Sequence, residues 1–349
     1  MERTNGARAT LDAVATAAGV SKATVSKVLN GRPGVSEETR ARVRGTLRAV
    51  GYTPTTGPRD PAPAGAVQLV FDALVNPYSV YVLDGVLAGA RDLGVEVVTS
   101  VLQPGEDAQP AELGVDEIER LGAKGRAGLV IVTSQLTAQE IAACRRLDIG
   151  LVAVDPVNPL DESVVSVGAT NWAGGVQATE HLLSLGHRRI AYAGGPQRSV
   201  PARERLHGYR EALEAAGLDA DPALTLHDAF RADAGARMAA TLLGREDPPT
   251  AIFAGSDAIA MGVLQAARAH GLDLPGDLSV VGFDDTYGAL WTDPPLTTVH
   301  QPLRDMGRVA ARTVLQLARR EPPDSHHVQL ATRLVIRDST APPRPRATT

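Results

Sequence analysis

The sequence predicts a small all-α helix-turn-helix head followed by an α/β body of two doubly wound parallel-sheet subdomains. Three observations carry that prediction. Apolar residues recur at helical spacing on both sides of Gly19. A stretch crowded with Pro and Gly, 53–65, then breaks the pattern. From Ala66 onward, short apolar runs alternate with amphipathic ones, which is how parallel sheets covered on both faces are built.

In the head, Leu11, Val14, Ala15 and Ala18 form one apolar stripe, and Val25, Val28 and Leu29 a second, with Gly19 at the turn between them. Small residues at Ala15 and Ala18 let the two helices approach closely. The second helix, 21–29, is then the one that enters a major groove. Its other positions, Ser21, Lys22, Thr24, Ser26, Lys27 and the following Asn30, are small polar or cationic groups suited to a phosphate backbone. An ordinary helical hairpin with a solvated polar face explains each residue singly but not the whole pattern. Ser36 is placed to cap a third helix running through Ala49, with Glu37 and Glu38 in its positive first turn and Gly51 beyond its end. Val14, Val25, Val43 and Leu47 would supply a shared core too small to be very stable alone.

Charge divides along the same line. Residues 1–52 hold nine Lys or Arg against four acids, a charge of +5, leaving −10 for the rest of a chain whose net is −5. A basic head on an acidic body fits a nucleic-acid-binding module attached to a body that the polyanion repels. Lysine occurs only at Lys22, Lys27 and Lys124, and two of these lie on the candidate recognition helix.

Composition narrows the remaining classes. The 349 residues, 44% hydrophobic and 21% charged, are ordinary globular material for two or three domains. No apolar run is long enough to span a bilayer. The opening Met1–Gly6 lacks the apolar core of an export signal, so a cytoplasmic protein is expected and an exported solute receptor is not. Cys144 is the only cysteine; with Ile141, Ala142, Ala143 and Leu147 it reads as a small buried residue on a helix stripe. No intrachain disulfide or cysteine-rich zinc site can form.

Strand candidates in the body are Val67–Phe71, Val95–Val101, Gly128–Val132, Gly150–Val154, Ser163–Val167, Ile190–Ala193, Ala251–Ala254 and Leu278–Phe283. Helix candidates include Val80–Leu93, Trp172–Leu185, Arg203–Ala216 and Ala258–His270. This is more material than one sheet needs. Ligands of open α/β sheets gather beyond the carboxyl ends of the strands, and several polar or flexible residues fall there: Tyr78 after the first strand, Asp155, Gly194-Gly195, Ser256-Asp257 and Asp284-Asp285. Each also has a plain structural reading as a helix cap, a turn or a tight bend.

The run Ala15-x-x-Ala18-Gly19-Val20-Ser21-x-x-Thr24-Val25-Ser26-x-Val28-Leu29-Asn30-Gly31 resembles the head of the lactose-repressor (LacI) family of bacterial transcription regulators. Val35 to Thr39 and Gly51-Tyr52 continue the match, and a looser resemblance covers nearly all of the remaining chain. It implies that Lys22, Ala23 and Lys27 face base edges while Ser21, Thr24, Ser26, Asn30 and Tyr52 contact phosphates. It implies a body like periplasmic sugar-binding proteins, with effector contacts at Arg205, Asp284 and the neighbourhood of Asp155 and Ser256, and an aromatic face near Phe230. Tyr78, Phe230, Trp172 or Trp291 would cover the apolar side of a sugar, with Trp172 better explained as an anchor at a helix start. Ser256 stands where several relatives carry asparagine. The implied division is a head at 1–53, a hinge at 54–65, a body at 66–340 (66–165 plus 297–322, and 166–296 plus 323–340) and a disordered tail at 341–349. The chain departs from the family at the hinge. Thr55, Pro58 and Pro61 replace an asparagine, an alanine and the leucine that wedges into the minor groove, and only Arg59 is retained; prolines there disfavour a hinge helix.

The function implied is a homodimeric regulator bound to near-palindromic operator DNA, repressing carbohydrate-utilisation genes, with a mono- or oligosaccharide between the subdomains as effector. A purine- or nucleoside-responsive corepressor type is the alternative. An enzyme is the rival class, but no Gly-x-x-x-x-Gly-Lys-Ser/Thr loop, Gly-x-Ser-x-Gly elbow or His-Glu-x-x-His is present. An Asp284–His300 pair would be its best catalytic candidate, and His326-His327 lacks further metal-spaced partners. No cofactor and no metal are expected. The tail has no leucine heptads, which favours a dimer over a tetramer.

Overall fold

A computed structural model describes residues 11–29, 34–49, 65–102 and 113–344. The chain divides into two units, 1–62 and 63–349.

The first unit holds three helices, α1 (Leu11–Ala18), α2 (Lys22–Leu29) and α3 (Glu37–Ala49). Gly19 adopts φ +64°, the left-handed conformation that ends α1 and that glycine adopts freely. Ser21 caps α2, its Oγ accepting the Thr24 amide at 3.1 Å, and the Ser36 hydroxyl accepts the Thr39 amide at 3.3 Å at the start of α3. Val14, Ala15, Ala18, Val25, Val28 and Val43 form the buried core, with Val20, Val35 and Leu47 packed against it. This is the small core expected from the two apolar stripes.

The second unit contains two six-stranded sheets. The first comprises β1 (Val67–Phe71), β2 (Val97–Val101), β3 (Gly128–Val132), β4 (Gly150–Val154), β5 (Val165–Ala169) and β11 (His327–Leu330), in the order β11-β5-β4-β3-β1-β2. The second comprises β6 (Ile190–Gly194), β7 (Thr225–His227), β8 (Ala251–Ala254), β9 (Ser279–Asp284), β10 (Thr297–His300) and β12 (Arg333–Val335), in the order β12-β10-β9-β8-β6-β7. All neighbours pair parallel except β10 and β12, an antiparallel edge of the kind tolerated on parallel sheets. The central strands β1, β3, β6, β8 and β9 are buried along their whole length, as expected of strands covered on both faces.

Helices cover the sheets: α4 (Pro77–Asp92), α5 (Val115–Ala123), α6 (Ala138–Arg146) and α12 (Leu303–Ala318) on the first; α7 (Asn171–Ser184), α8 (Val200–Ala215), α9 (Ala232–Leu243), α10 (Asp257–Ala269) and the short α11 (Tyr287–Trp291) on the second. Cys144 is buried in the α6 core, where burial pushes its thiol up to about 12, an inert structural position.

Two expectations need correction. Boundaries placed at 165/166, 296/297 and 322/323 would cut β5 in two and assign β10 and β11 to the wrong sheets. The observed crossings fall at 170–171, 301–302 and 331–332, because β5 pairs along Val165–Val167 with β4 and along Ser166–Ala169 with β11, while β10 pairs with β9. Nor is the segment 341–344 loose. The Ala341 carbonyl accepts from the Ser279 hydroxyl at 3.0 Å and its amide donates back to that oxygen, while Arg344 pairs with Asp273 and Asp277. The hinge at 54–64 and the end of the tail, 345–349, lie outside the described residues.

Candidate functional site

A cleft of about 230 Å³ opens between the two sheets of the second unit. Its wall is built from strand ends, as the topology requires: Asp72 follows β1, Thr133 and Ser134 follow β3, Asp155 follows β4, Pro196 lies beyond β6, Ser256 follows β8, and Asp284 ends β9. Four of the six non-glycine residues with positive φ among the described residues sit at these ends, namely Thr133, Asp155, Asp284 and Asp285. Backbone held in that sparsely populated region marks places where the surroundings override local preference.

Tyr78 reaches the cleft from the first turn of α4, which Asn76 caps and Pro77 opens. Its hydroxyl donates to Asp155 Oδ2 at 2.6 Å. Burial pushes the Asp155 carboxyl up to about 6, opposed by this hydrogen bond and by the Arg205 charge.

Arg205 comes from α8 and is 3% exposed. Its Nε donates to Asn171 Oδ1 at 2.9 Å and one terminal nitrogen to the Gly255 carbonyl at 2.6 Å. The same nitrogen lies 3.7 Å from Asp284 Oδ1. The guanidinium stacks over Phe283 at 3.9 Å and stands 5.7 Å from the Phe230 ring centre. Asp284 accepts from Gln301 Nε2 at 2.7 Å. Burial raises its carboxyl above the usual range, against the opposing pull of Arg205 and Gln301. Asp257, at the start of α10, is raised by burial and then by the charge of Asp284, although Thr298 and Thr286 both donate to it. A single buried guanidinium thus faces two buried carboxyl groups, Asp284 and Asp155, with a third, Asp257, set against Asp284.

Ser256 caps α10, its Oγ accepting the Ile259 amide at 3.2 Å, and it also lines the cleft, so both readings of it hold at once. Phe230 lines the cleft directly against Gly195, where an added Cβ would collide with its ring. All six residues expected there, Tyr78, Asp155, Arg205, Phe230, Ser256 and Asp284, are brought together by the fold. Trp172 and Trp291 are not among them; they are 49% and 78% exposed. The Asp284–His300 pair does not form. His300 Nδ1 meets Asp285 at 3.0 Å instead, and Asp285 pairs with Arg337. Asn171 and Gln301 went unnoticed in the sequence, since no motif marks them and β10, which places Gln301, is not an apolar run.

In the first unit, Val25 and Val28 of α2 are buried while Ser21, Lys22, Ala23, Ser26 and Lys27 are exposed and Thr24 is half-buried. The helix thus presents the face that its polar residues mark. Asn30, Tyr52 and Arg59 lie outside the described residues.

Comparison with known proteins decides the family. The profile described as "Bacterial regulatory proteins, lacI family" matches residues 10–55, and that for a "Periplasmic binding protein-like domain" matches 179–340. The regulator DegA of Bacillus subtilis is 33% identical over 347 residues, covering 96% of this chain and 99% of its own. The chain belongs to the lacI family of bacterial regulatory proteins. Two solved structures agree with it along nearly its full length. The transcriptional regulator CelR in complex with cellobiose has a TM-score of 0.70 at 32% identity, covering 95% of this chain and all of its own. The lac repressor dimer bound to operator and an anti-inducer has a TM-score of 0.68 at 28% identity, covering 96% and 100%. This lacI-family chain is accordingly a helix-turn-helix transcriptional regulator and not an enzyme. Among the described residues, no helix is long and apolar enough to cross a membrane, and no cluster of three or more His, Cys, Asp or Glu is placed to hold a metal.

Proposed function

We propose that this regulator represses carbohydrate-utilisation genes in the cytoplasm as a homodimer, and that a mono- or oligosaccharide in the cleft changes its operator affinity. The observation that carries the reading is the cleft chemistry. One fixed guanidinium, Arg205, is set among Asp284, Asp155 and Asp257, with Phe230 and Tyr78 supplying ring faces. Hydroxyls donate to carboxylates and accept from the guanidinium, whereas a strongly anionic ligand meets repulsion in a partly desolvated site. The similarity to a cellobiose-bound regulator supports the same class of ligand.

On the DNA side, Lys22, Ala23 and Lys27 read base edges, while Ser21, Thr24, Ser26, Asn30 and Tyr52 hold phosphates and Arg59 serves the hinge. The head is 1–53 and the hinge 54–65; the body divides at the crossings seen between the sheets. The second copy docks on an exposed aromatic patch. There Tyr287 and Trp291 of α11 stand 4.8 Å apart, and Tyr81 of α4 stacks on Tyr287 at 6.3 Å. The kinship with a dimeric repressor supports a second copy of the chain as the partner, and the exposure of Tyr287 and Trp291 supports the place.

The test is operator release under titration with glucose, cellobiose, ribose, adenine and guanine, using wild type, Arg205→Ala and Asp284→Asn. A saccharide response lost in both variants, with sugar-free operator binding retained, is the expected result. A response to a purine alone would instead favour the corepressor type, and an unchanged sugar response in Arg205→Ala would overturn the reading.

A further inference from the structure

Two of the three crossings between the sheets are tied to each other through the floor of the cleft. Asn171 stands at the first crossing, immediately after β5 and Thr170, and Gln301 at the second, immediately after β10. Both are almost wholly buried, at 3% and 2% exposure. From Asn171 a polar chain runs to Gln301 through two hydrogen bonds and one ionic approach: Asn171 Oδ1 accepts from Arg205 Nε at 2.9 Å, the Arg205 guanidinium faces Asp284 Oδ1 at 3.7 Å, and that oxygen accepts from Gln301 Nε2 at 2.7 Å. The middle link is the long one. It is also the pair that faces the cleft, so a bound polyol would engage the chain at its weakest member.

Neither end of the chain is a simple structural anchor. Asn171 also donates to the Ala169 carbonyl and to Glu204, which fixes its amide between the end of β5 in one sheet and α8 on the other. Gln301 leaves Oε1 buried with no partner. An orphaned buried acceptor is costly, and it marks this arrangement as one that a small hinge rotation would relieve. The third crossing follows the first. Thr332 donates its amide to Thr170 Oγ1 at 2.9 Å and its hydroxyl to the Thr170 carbonyl at 3.1 Å. A shift at 170–171 is therefore felt at 331–332.

We propose that Asn171 and Gln301 are positioning residues that transmit cleft occupancy to the subdomain crossings, through the relay Asn171–Arg205–Asp284–Gln301. The inference rests on the cleft being the effector site. Ligand hydroxyls that pull Arg205 and Asp284 toward themselves draw on both hinges together, and the two amides convert that pull into a change of subdomain angle. Two arrangements of one hydrogen-bonded element, biased by a ligand, are what coupling between sites requires.

The test uses the full-length protein and Asn171→Leu and Gln301→Met, with Asn171→Asp as the variant that keeps the acceptor for Arg205 Nε. Sugar binding is measured by calorimetry with glucose, cellobiose and ribose. Operator affinity is measured with and without the saturating sugar. The ratio of the two operator affinities is the readout, because general destabilisation does not move it. In wild type this ratio falls in the range of about 5- to 150-fold typical of coupled sites, and it collapses to less than about twofold in Asn171→Leu and Gln301→Met while sugar binding persists. Asn171→Asp keeps the wild-type ratio. An unchanged ratio overturns the proposal, as does loss of sugar binding together with the response. Should Asn171→Leu fail to fold, Asn171→Ala takes its place.

A second arm needs no ligand. Both tryptophans, Trp172 and Trp291, lie in the second unit, so their fluorescence follows its urea unfolding. Joined by the relay, the two substitutions together shift the midpoint by less than about two-thirds of the sum of their separate shifts, whereas strict additivity overturns the proposal. If wild type binds none of the three sugars, the saccharide reading fails while this arm still decides the relay.

Discussion

Asp155 shows how much a single side chain is shaped by where its strand ends. Its ordinary carboxyl value of 3.8 rises to about 6, chiefly because burial disfavours the charge, with Tyr78 and Arg205 holding it down from a still higher value. A folded-state value above the unfolded one means that the native protein binds this proton more tightly. The resulting stabilisation is full below pH 3.8 and is lost as pH rises through about 6, an effect of about 3 kcal/mol. Urea unfolding of the second unit at several pH values between 4.5 and 7.5 should show a loss to which Asp284 and Asp257, also raised by burial, contribute, and Asp155→Asn should remove only the Asp155 share. Tyr78→Phe removes a hydrogen bond to the ionised form, so it should move the loss to higher pH; a shift to lower pH would contradict the assignment. On the DNA side, Lys27→Ala should cost about 1 to 3 kcal/mol at the cognate operator and relax one base position, while Ser26→Ala should weaken all sequences alike. Titration against operator and random duplexes separates the two. Asp155, Ser256 and Asp284 could be picked out in the sequence because they follow apolar strands. Arg205 and Phe230 came only from the family resemblance, since one lies inside a helix and the other in a loop. Asn171 and Gln301 escaped because their meaning depends on partners 34 and 17 residues away.

At the level of elements, periodicity found the apolar runs, including the partly exposed β2 and β5, and missed the short half-polar strands β7, β10, β11 and β12. The runs at β1, β3, β4, β6, β8 and β9 are continuous in Val, Ile, Leu, Phe, Ala and Gly, with few interruptions, and they were found within one or two residues. By contrast β10 reads Thr-Thr-Val-His and β11 His-Val-Gln-Leu. Such short half-polar segments become strands only because neighbours pair with them, β10 between β9 and β12 and β11 at the edge beside β5, a tertiary effect that no local pattern carries. The domain boundaries shifted for the same reason. Helix pairing is a further matter hidden from periodicity. The helices α7 and α8 cross at Gly175 and Gly208, where an added Cβ would run into the carbonyls of Arg205 and Trp172 respectively. Glycine is required there for closeness of approach, and that closeness seats Arg205 one turn before Gly208. Gly208→Ala should therefore destabilise the second unit by about 1 to 3 kcal/mol through overpacking and also weaken the effector response by displacing Arg205. Chemical denaturation and sugar titration of the same variant check both halves; full stability with normal response would show that the helices can separate at no cost.

For the molecule as a whole, the question is which surface makes two chains into one regulator. A near-palindromic operator needs two heads, so operator affinity depends on a self-complementary contact. Exposed large apolar groups gather at α11, where Trp291 is 78%, Leu290 58% and Tyr287 40% exposed. Tyr81 of α4 adjoins them, with the Arg304 guanidinium 4.8 Å from its ring centre. A patch of Trp, Tyr and Arg is the composition of an interface centre and an unfavourable one to leave in water. Because α11 lies against the second sheet and α4 against the first, a partner seated there touches both subdomains and would sense any change in the angle between them. Trp291→Asp places a charge in the middle of this contact without disturbing a buried core. The expected outcome is a folded monomer by sedimentation equilibrium, with sugar affinity in the cleft retained and affinity for a two-half-site operator reduced to that for a single half-site. Should Trp291→Asp remain dimeric at micromolar concentration, the second copy docks elsewhere and the patch has to be assigned to another partner.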